Sequence, residues 1–250
     1  MQILLACAKI MNETTETKTP FVSEPKFQKE AERFALQMSQ RNVEEMTDMF
    51  HCSRQLAIDN KLRYNRFFAE DERLPAILAY YGQAYKYLKS NTLSETDFAF
   101  AQQHLWITSF LYGLLRPLDL IHPYRMEGKA VLEGKTMFSH WKPLLTDLLI
   151  DSVKADDGIL VHLATEEMQH LFDWKKVCKE VTIVHPQFMI LKNGKLKSVT
   201  VYAKSCRGAM TRFIIKNQLD SPEELCNFKN DGFEFKPEYG DKTHPYYIIE

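Results

Sequence analysis

The segment from Val181 to Leu219 constrains the fold most, because it joins two strand patterns to a helical pattern through short connections. Val181–Leu191 and Leu196–Tyr202 have the composition of strands, and the Asn193-Gly194 pair between them is a strong signal for a β-hairpin. Ala203–Leu219 then has the apolar spacing of a helix. The sequence therefore predicts a hairpin that leads directly into a long helix.

The same segment has an unusual charge. It contains no Asp or Glu, although the whole chain has 33 acidic residues against 32 Lys and Arg and a net charge of −1. Its basic residues are Lys192, Lys195, Lys197, Lys204, Arg207, Arg212 and Lys216. A basic block on an otherwise neutral chain favours a surface that binds phosphates or another polyanion.

Helical and strand patterns also alternate along the rest of the chain. We predict a loop at Asn12–Lys26, an extended segment at Leu118–Arg125, strands at Gln2–Cys7 and Gly158–Leu163, and helices at Phe27–Phe50 (in two pieces), Leu74–Leu88 and Trp141–Val153. The order shows no βαβ repeat. It predicts an α+β fold, and the length allows one large domain or two small ones.

The most periodic helix pattern begins at Ser94-Glu95-Thr96-Asp97, which has the form of a capping box. Its apolar positions continue to Tyr112, and Gly113 ends the pattern. The segment that follows resembles a hairpin between helices, which would offer backbone amides to a phosphate and place Arg116 at the turn. The alternative is a plain helix end at which Arg116 caps carbonyl groups.

Composition excludes several classes of protein. The chain is 45% hydrophobic and 26% charged, as in ordinary globular proteins. No apolar run approaches the roughly 18–20 residues of a membrane helix, so we expect no membrane partner. Five scattered cysteines without a Cys-x-x-Cys pair suit a reducing compartment, and we expect a cytoplasmic protein.

The helix at Ala203–Leu219 separates into two faces at about 100° per residue. The apolar face contains Ala209, Met210, Phe213 and Ile214, and the other contains Lys204, Arg207, Gly208, Arg212 and Lys216. Lys204 and Arg207 are predicted at the helix start, where free amides favour an anion, and Gly208 would allow close backbone approach. The alternative is the ordinary solvated face of a surface helix.

Other patterns give weak indications of chemistry. His162, Glu166 and His170 have the spacing of metal ligands on a helix, but His162 ends a strand pattern, so we do not expect the three to share one helix. Cys206 is either a reactive thiol or a small packed residue. The sequence shows no catalytic triad, Walker loop or paired carboxylates, and we predict no catalytic residue, metal or cofactor.

Several segments together resemble the YaaA family of bacterial peroxide-stress proteins. They are Ala8-Lys9, Phe98–Leu105, Leu111–Ile121, Pro123–Arg125, Tyr202–Lys204, Arg207–Met210 and Arg212–Asn217. The resemblance spans nearly the whole chain. It departs from the family pattern at Lys204-Ser205-Cys206-Arg207, which has one positive charge fewer than the usual Lys-Lys-Ala-Arg.

The resemblance implies a cytosolic α+β protein in which residues 1–250 form one large domain, with helices surrounding a mixed sheet. It implies that the protein limits peroxide damage by keeping free iron low. It also implies DNA binding through a positively charged cleft and a helix-hairpin-helix-like element. On this basis our leading hypothesis is a stress-response protein that binds double-stranded or structured DNA by charge and shape. The residues predicted to contact phosphates are Lys9, Gly113, Arg116, Arg125, Lys204, Arg207, Gly208, Arg212 and Lys216.

Two alternatives remain open. One is an enzyme that acts on a nucleotide or nucleobase-like ligand in the same basic cleft, with Lys9 and Arg125 on the phosphate and Tyr124 or Tyr202 against a ring. A closed pocket near Lys9 would favour this enzyme, whereas an open groove would favour DNA. The other alternative is direct iron binding, for which the sequence offers no convincing ligand set. The oligomeric state is left open.

Overall fold

The computed structural model describes residues 1–69 and 73–250, which form two five-stranded sheets with helices packed around them. The helices are α1 (Gln28–Gln40), α2 (Val43–Phe50), α3 (Arg54–Asn65), α4 (Ala76–Ala79), α5 (Gln83–Leu88), α6 (Glu95–His104), α7 (Met137–Lys154), α8 (Glu166–Gln169), α9 (Trp174–Glu180) and α10 (Thr200–Asn217). The strands are β1 (Gln2–Leu5), β2 (Leu74–Pro75), β3 (Leu105–Ser109), β4 (Gly113–Leu115), β5 (Leu120–Ile121), β6 (Val131–Leu132), β7 (Lys135–Thr136), β8 (Ile159–Leu163), β9 (Thr182–Val184), β10 (Gln187–Lys192), β11 (Lys195–Lys197), β12 (Lys229–Asn230), β13 (Phe233–Phe235) and β14 (Tyr246–Ile249). The predicted mixture of helices and mixed sheets is confirmed.

The first sheet has the strand order β4-β3-β1-β8-β9 and forms the centre of the molecule. Strands β3, β1, β8 and β9 run parallel, and β4 pairs antiparallel with β3. Every residue of β1 and β3 is buried. Such uniformly buried strands are typical of a parallel sheet that is covered on both faces.

The second sheet has the order β11-β10-β14-β13-β12 and contains the predicted hairpin. Lys192 pairs with Lys195 across the turn, and Asn193 and Gly194 both have positive φ, of 52° and 69°. Two left-handed residues give the turn that matches strand twist, which confirms the hairpin.

The prediction that the strand after this hairpin continues to Tyr202 is wrong. Helix α10 begins at Thr200. The run from Val199 to Tyr202 is rich in β-branched residues, which is why it has a strand-like composition, but packing against the sheets overrides that preference. As a result Lys204 and Arg207 lie inside the helix rather than among its free amino-terminal amides.

The capping box at Ser94 is confirmed, because the Ser94 side chain accepts from the Asp97 amide and Asp97 accepts from the Ser94 amide. The helix ends at His104, however, and the predicted continuation to Tyr112 is strand β3 instead. A strand buried on both faces is apolar at every position and so also satisfies helical spacing.

The segment around Gly113 is consequently a β-hairpin between β3 and β4. The prediction of a hairpin between two helices at Leu111–Arg116 is therefore wrong. Gly113 has φ of +77°, and a Cβ on it would stand 2.8 Å from the ring of Trp141. Its small size thus serves packing against α7.

The predicted single helix at Leu74–Leu88 is also wrong. Leu74–Pro75 forms β2, and two short helices, α4 and α5, are separated by Tyr80–Gly82. The break lets α5 turn and pack across α10. The loop at Asn12–Lys26 and helices α1, α2 and α7 agree with prediction. Over residues 1–69 and 73–250, no helix has the length and apolar character needed to span a membrane.

Candidate ligand-binding cavity

A cavity of about 320 Å³, here named the Lys9 cavity, lies where the parallel strands β1 and β8 end. Carboxyl ends of parallel strands are common ligand sites, because the loops that follow them converge there. The cavity is lined by residues from separate segments of the chain. They are Leu5–Ile10, Gly82–Tyr85, Phe110, Tyr124–Met126, Leu163, Thr165, Glu167, Met168, Lys204 and Arg207.

Four of the predicted phosphate-binding residues line this cavity, namely Lys9, Arg125, Lys204 and Arg207. They come from segments that are far apart in sequence. Lys9 follows β1, Arg125 follows β5, and the other two lie one turn apart on α10. The fold therefore brings together cations that the sequence could only identify separately.

Two of these cations share one carboxylate, which lies behind the cavity wall. The Lys9 Nζ is 2.8 Å from Glu127 Oε2, and an Arg125 terminal nitrogen is 2.7 Å from Glu127 Oε1. The Arg125 and Glu127 side chains are only 12% and 15% exposed, whereas Lys9 is 60% exposed. Glu127 thus neutralises much of the charge that Lys9 and Arg125 bring.

Arg207 has no comparable partner. No carboxylate in the described parts of the chain lies within 4.0 Å of its guanidinium, and its buried Nε has no hydrogen-bond partner there. Burial lowers the pKa of Arg207, and the nearby Glu166 only partly offsets this. Arg207 is therefore a partly desolvated cation in the cavity wall with unused donors.

Apart from Glu167 and Thr165, most of the remaining lining is apolar or held by internal hydrogen bonds. The Tyr124 hydroxyl lies 2.7 Å from the Tyr80 hydroxyl and 2.6 Å from Ser109 Oγ. Burial, with smaller contributions from Glu167 and Glu127, raises the pKa of Cys7 to about 12, so its thiol stays protonated at neutral pH. These groups form a fixed, uncharged wall beside the cations.

Tyr124 lines this cavity as the enzyme hypothesis requires, but Tyr202 does not. The Tyr202 ring packs 6.2 Å from the ring of Phe233, against the second sheet. A ring-binding role in the cavity can therefore be considered for Tyr124 only.

Arg116 lies at the opposite end of the central sheet from the cavity, where strand β1 begins. Its guanidinium donates to Gln2 Oε1 at 3.1 Å and to the Leu105 carbonyl at 3.2 Å, and it stacks 3.5 Å from the Trp106 ring. Gln2 begins β1, whereas the cavity lies beyond the end of β1. Arg116 and the cavity cations therefore do not form one surface.

Helix α5 separates the remaining basic residues from the cavity. It crosses α10 at Gly208, where a Cβ would overlap the Ala84 carbonyl oxygen, so Gly208 contacts protein backbone. Beyond this crossing, Arg212 donates to the carbonyls of Leu88 and Lys89 at 3.1 Å, and Lys216 pairs with Asp97 at 2.8 Å. The predicted basic face is thus divided in two.

Sequence reasoning missed Glu127, Lys86 on α5 and Lys89 directly after it. Met126 is buried whereas Arg125 and Glu127 on either side of it are not fully buried, and this alternation of charged and apolar residues could have identified Glu127. Lys86 and Lys89 are exposed and line a neighbouring pocket, which shares Tyr85 with the cavity, and Lys86 Nζ lies 5.0 Å from the Tyr81 ring. The wrong prediction of one continuous helix concealed their position.

The described residues contain no group of three or more His, Cys, Asp or Glu side chains placed to hold a metal ion. His162 is in β8 and Glu166 begins α8, which confirms that His162, Glu166 and His170 do not share a helix. The fully buried His162 ring packs 4.7 Å from His185.

Comparison with known proteins finds similar sequences over nearly the full length of the chain. A family model described as peroxide stress protein YaaA matches residues 1–239. A UPF0246 protein of Bacteroides fragilis is 49% identical over 247 residues, which cover 97% of this chain and 96% of the relative.

More distant relatives match as completely. A UPF0246 protein of Bacteroides thetaiotaomicron is 47% identical over 252 residues, with 99% of this chain and 98% of the relative covered. One from Porphyromonas gingivalis is 39% identical over 256 residues and covers both chains fully. The chain therefore belongs to the YaaA family of peroxide stress proteins.

Proposed function

We propose that this peroxide stress protein binds a nucleotide-like ligand in the Lys9 cavity, with its phosphate on Arg207 and Lys204 and its ring in the apolar part. The observation that carries the proposal is the unpaired guanidinium of Arg207 in the cavity wall. Leaving a desolvated cation without a counter-ion costs on the order of several kcal/mol. A bound phosphate would remove that cost through charge-assisted hydrogen bonds.

The size and lining of the cavity support a small ligand. Its volume of about 320 Å³ is at the lower end of the range for small-molecule sites. Phe110, Met126 and Met168 supply apolar surface, and Tyr124 supplies an aromatic ring whose hydroxyl is held from behind. A phosphate attached to a flat ring satisfies both the cations and this surface.

Isothermal titration with AMP as the probe tests the proposal. We expect Arg207→Gln to weaken AMP binding by about tenfold, since a hydrogen bond to a charged group contributes about 1.5–3 kcal/mol. Arg54→Gln is the matched control, because Arg54 is 69% exposed and lies on α3, away from the cavity. Equal AMP affinity in the Arg207 variant and the wild type would refute the assignment.

DNA binding is the second candidate function. It is favoured by exposed lysines that line the cavity and the neighbouring pocket. Lys204, Lys86 and Lys89 are all exposed, and within residues 1–69 and 73–250 none has a carboxylate within 4.0 Å. Together with Lys9 they border the cavity and the adjoining surface of α5. Phosphates along a DNA strand could contact them without entering the cavity.

Fluorescence anisotropy with short duplex and hairpin DNA tests this second candidate. The double variant Lys86→Gln, Lys89→Gln should reduce the slope of log affinity against log salt by about 2, one for each lost phosphate contact. Lys175→Gln, Lys179→Gln on α9 is a matched control, because both of those lysines are exposed. An unchanged slope in the α5 variant would exclude α5 from the DNA surface.

Limitation of free iron belongs to the proposal as an indirect effect of ligand binding, because the described side chains include no metal-ligand group. Cells that express the Arg207→Gln variant should then show more chelatable iron after peroxide exposure than cells that express the wild type. The same level of chelatable iron in both strains would show that the cavity does not contribute to the limitation of free iron.

A further inference from the structure

We infer that Glu127 is an internal counter-ion that restricts the Lys9 cavity to ligands with a single phosphate group. The inference rests on the proposed nucleotide binding and names the class of nucleotide. Glu127 holds two cavity cations at once, with Lys9 Nζ at 2.8 Å and Arg125 at 2.7 Å. A carboxylate at hydrogen-bond distance from both cations competes with a second phosphate group for them.

The charges in and directly behind the cavity match one phosphate. Lys9, Arg125, Lys204 and Arg207 line it with positive charge, and Glu167 lines it with negative charge. Counting Glu127 as well, four cations and two carboxylates leave two positive charges, and Glu166, which is near Arg207 but outside the lining, lowers this total further. A phosphate monoester carries about −1.5 to −2 at neutral pH, so one such group balances the site.

The positions of the charges restrict the ligand further. The two cations without a carboxylate partner in the described residues, Lys204 and Arg207, are one helical turn apart and can contact one phosphate together. A longer phosphate chain would have to compete with Glu127 for Lys9 and Arg125. Both the Arg125 and Glu127 side chains are largely buried, so breaking their ion pair would leave poorly solvated charges.

Isothermal titration with AMP, ADP and ATP on the wild type and on Glu127→Gln tests the inference. The wild type should bind AMP at least as tightly as ADP and ATP. Glu127→Gln frees Lys9 and Arg125, and the affinity for ADP and ATP should rise about tenfold while that for AMP changes less than about threefold. A wild type that prefers ATP, or a variant that gains equally for all three, would overturn the inference.

Glu167→Gln is the matched control, since it removes the same charge from the cavity lining without releasing Lys9 or Arg125. Glu167→Gln should leave the order of the affinities for AMP, ADP and ATP unchanged. If that order changed as in Glu127→Gln, total charge and not the ion pairs would set the selectivity. Failure of AMP to bind the wild type at all would instead refute the proposed function itself.

A second variant keeps the test decisive if Glu127→Gln does not fold. Lys9 is 60% exposed, so Lys9→Gln should be tolerated. Because Glu127 already neutralises Lys9, this variant should change AMP affinity less than about threefold, whereas Lys204→Gln should lower it about tenfold. Equal losses in the two variants would show that Lys9 binds the phosphate and that Glu127 is not its counter-ion.

Discussion

Gly208 packs directly against the backbone of Ala84, where α5 crosses α10, and a Cβ at position 208 would overlap the Ala84 carbonyl oxygen. This crossing holds Gly82–Tyr85 in the cavity wall beside Lys204 and Arg207. A packing contact between two helices therefore sets the shape of the candidate ligand site.

Gly208→Ala should destabilise the protein by about 2 kcal/mol. Alanine favours a helix over glycine by about 1 kcal/mol, but overpacking costs about 1–3 kcal/mol or more, and a carbonyl oxygen in the backbone cannot rotate away. Urea unfolding followed by circular dichroism measures the change. Val201→Ala, at a 56% exposed position of the same helix, should stay within about 0.5 kcal/mol. A Gly208→Ala protein as stable as the wild type would show that α5 is not fixed at this crossing.

Arg116 should contribute to stability and not to ligand binding. Arg116→Lys keeps the charge but loses the planar fork that contacts Gln2 and stacks 3.5 Å from the Trp106 ring. We expect a loss of about 1–2 kcal/mol in free energy of unfolding with unchanged affinity for AMP and for DNA. Arg54→Lys is the exposed control, and a selective loss of ligand affinity in Arg116→Lys would contradict this placement.

Local signals predicted some elements well. The Ser94 capping box and the Asn193-Gly194 hairpin depend on residues within one turn of each other, and both are confirmed. Strand β3 was predicted as helix because all five of its residues are buried, so its apolar pattern carries no period of two. Which face of a segment is covered depends on distant parts of the chain.

In the candidate site, too, some features are predicted from local sequence and others depend on residues far apart in the chain. Lys204 and Arg207 were recognised from their own segment and Lys9 from the family resemblance, and the three do meet in one cavity. The neutralisation of Lys9 by Glu127 joins residues 118 positions apart, and no local pattern reveals it. Likewise, Gly208 was predicted to face a ligand because its sequence neighbours are basic, whereas the residue that contacts it, Ala84, lies on another helix.

The cysteines should differ in reactivity according to burial. Burial raises the pKa of both Cys7 and Cys206 to about 12, so neither forms a thiolate at neutral pH. Cys178 and Cys226 are exposed. Brief treatment of the native protein with iodoacetamide, followed by mass spectrometry, should label Cys178 and Cys226 before Cys7 and Cys206. Rapid labelling of Cys206 would instead support the interpretation of Cys206 as a reactive thiol.

Stability should fall as the pH is lowered from about 6.5 to 4, in part because of His185. Burial, with smaller contributions from Arg207 and His244, lowers the pKa of His185 from 6.5 to about 4. In that pH range the unfolded chain binds a proton that the folded protein does not, so the stabilising contribution is complete above pH 6.5 and is lost as pH falls to 4. The full effect is at most about 3 kcal/mol.

Urea unfolding of wild type and His185→Asn at several pH values measures this contribution as a difference between the two proteins. Asp119, whose pKa burial raises to about 6, has the opposite pH dependence, but it is present in both proteins and cancels. The neighbouring His162, whose pKa is also lowered by burial, can titrate more easily once His185 is neutral asparagine. The stability of His185→Asn should therefore vary less than that of wild type between pH 6.5 and 4, and parallel curves would show that His185 is protonated equally in the folded and unfolded states.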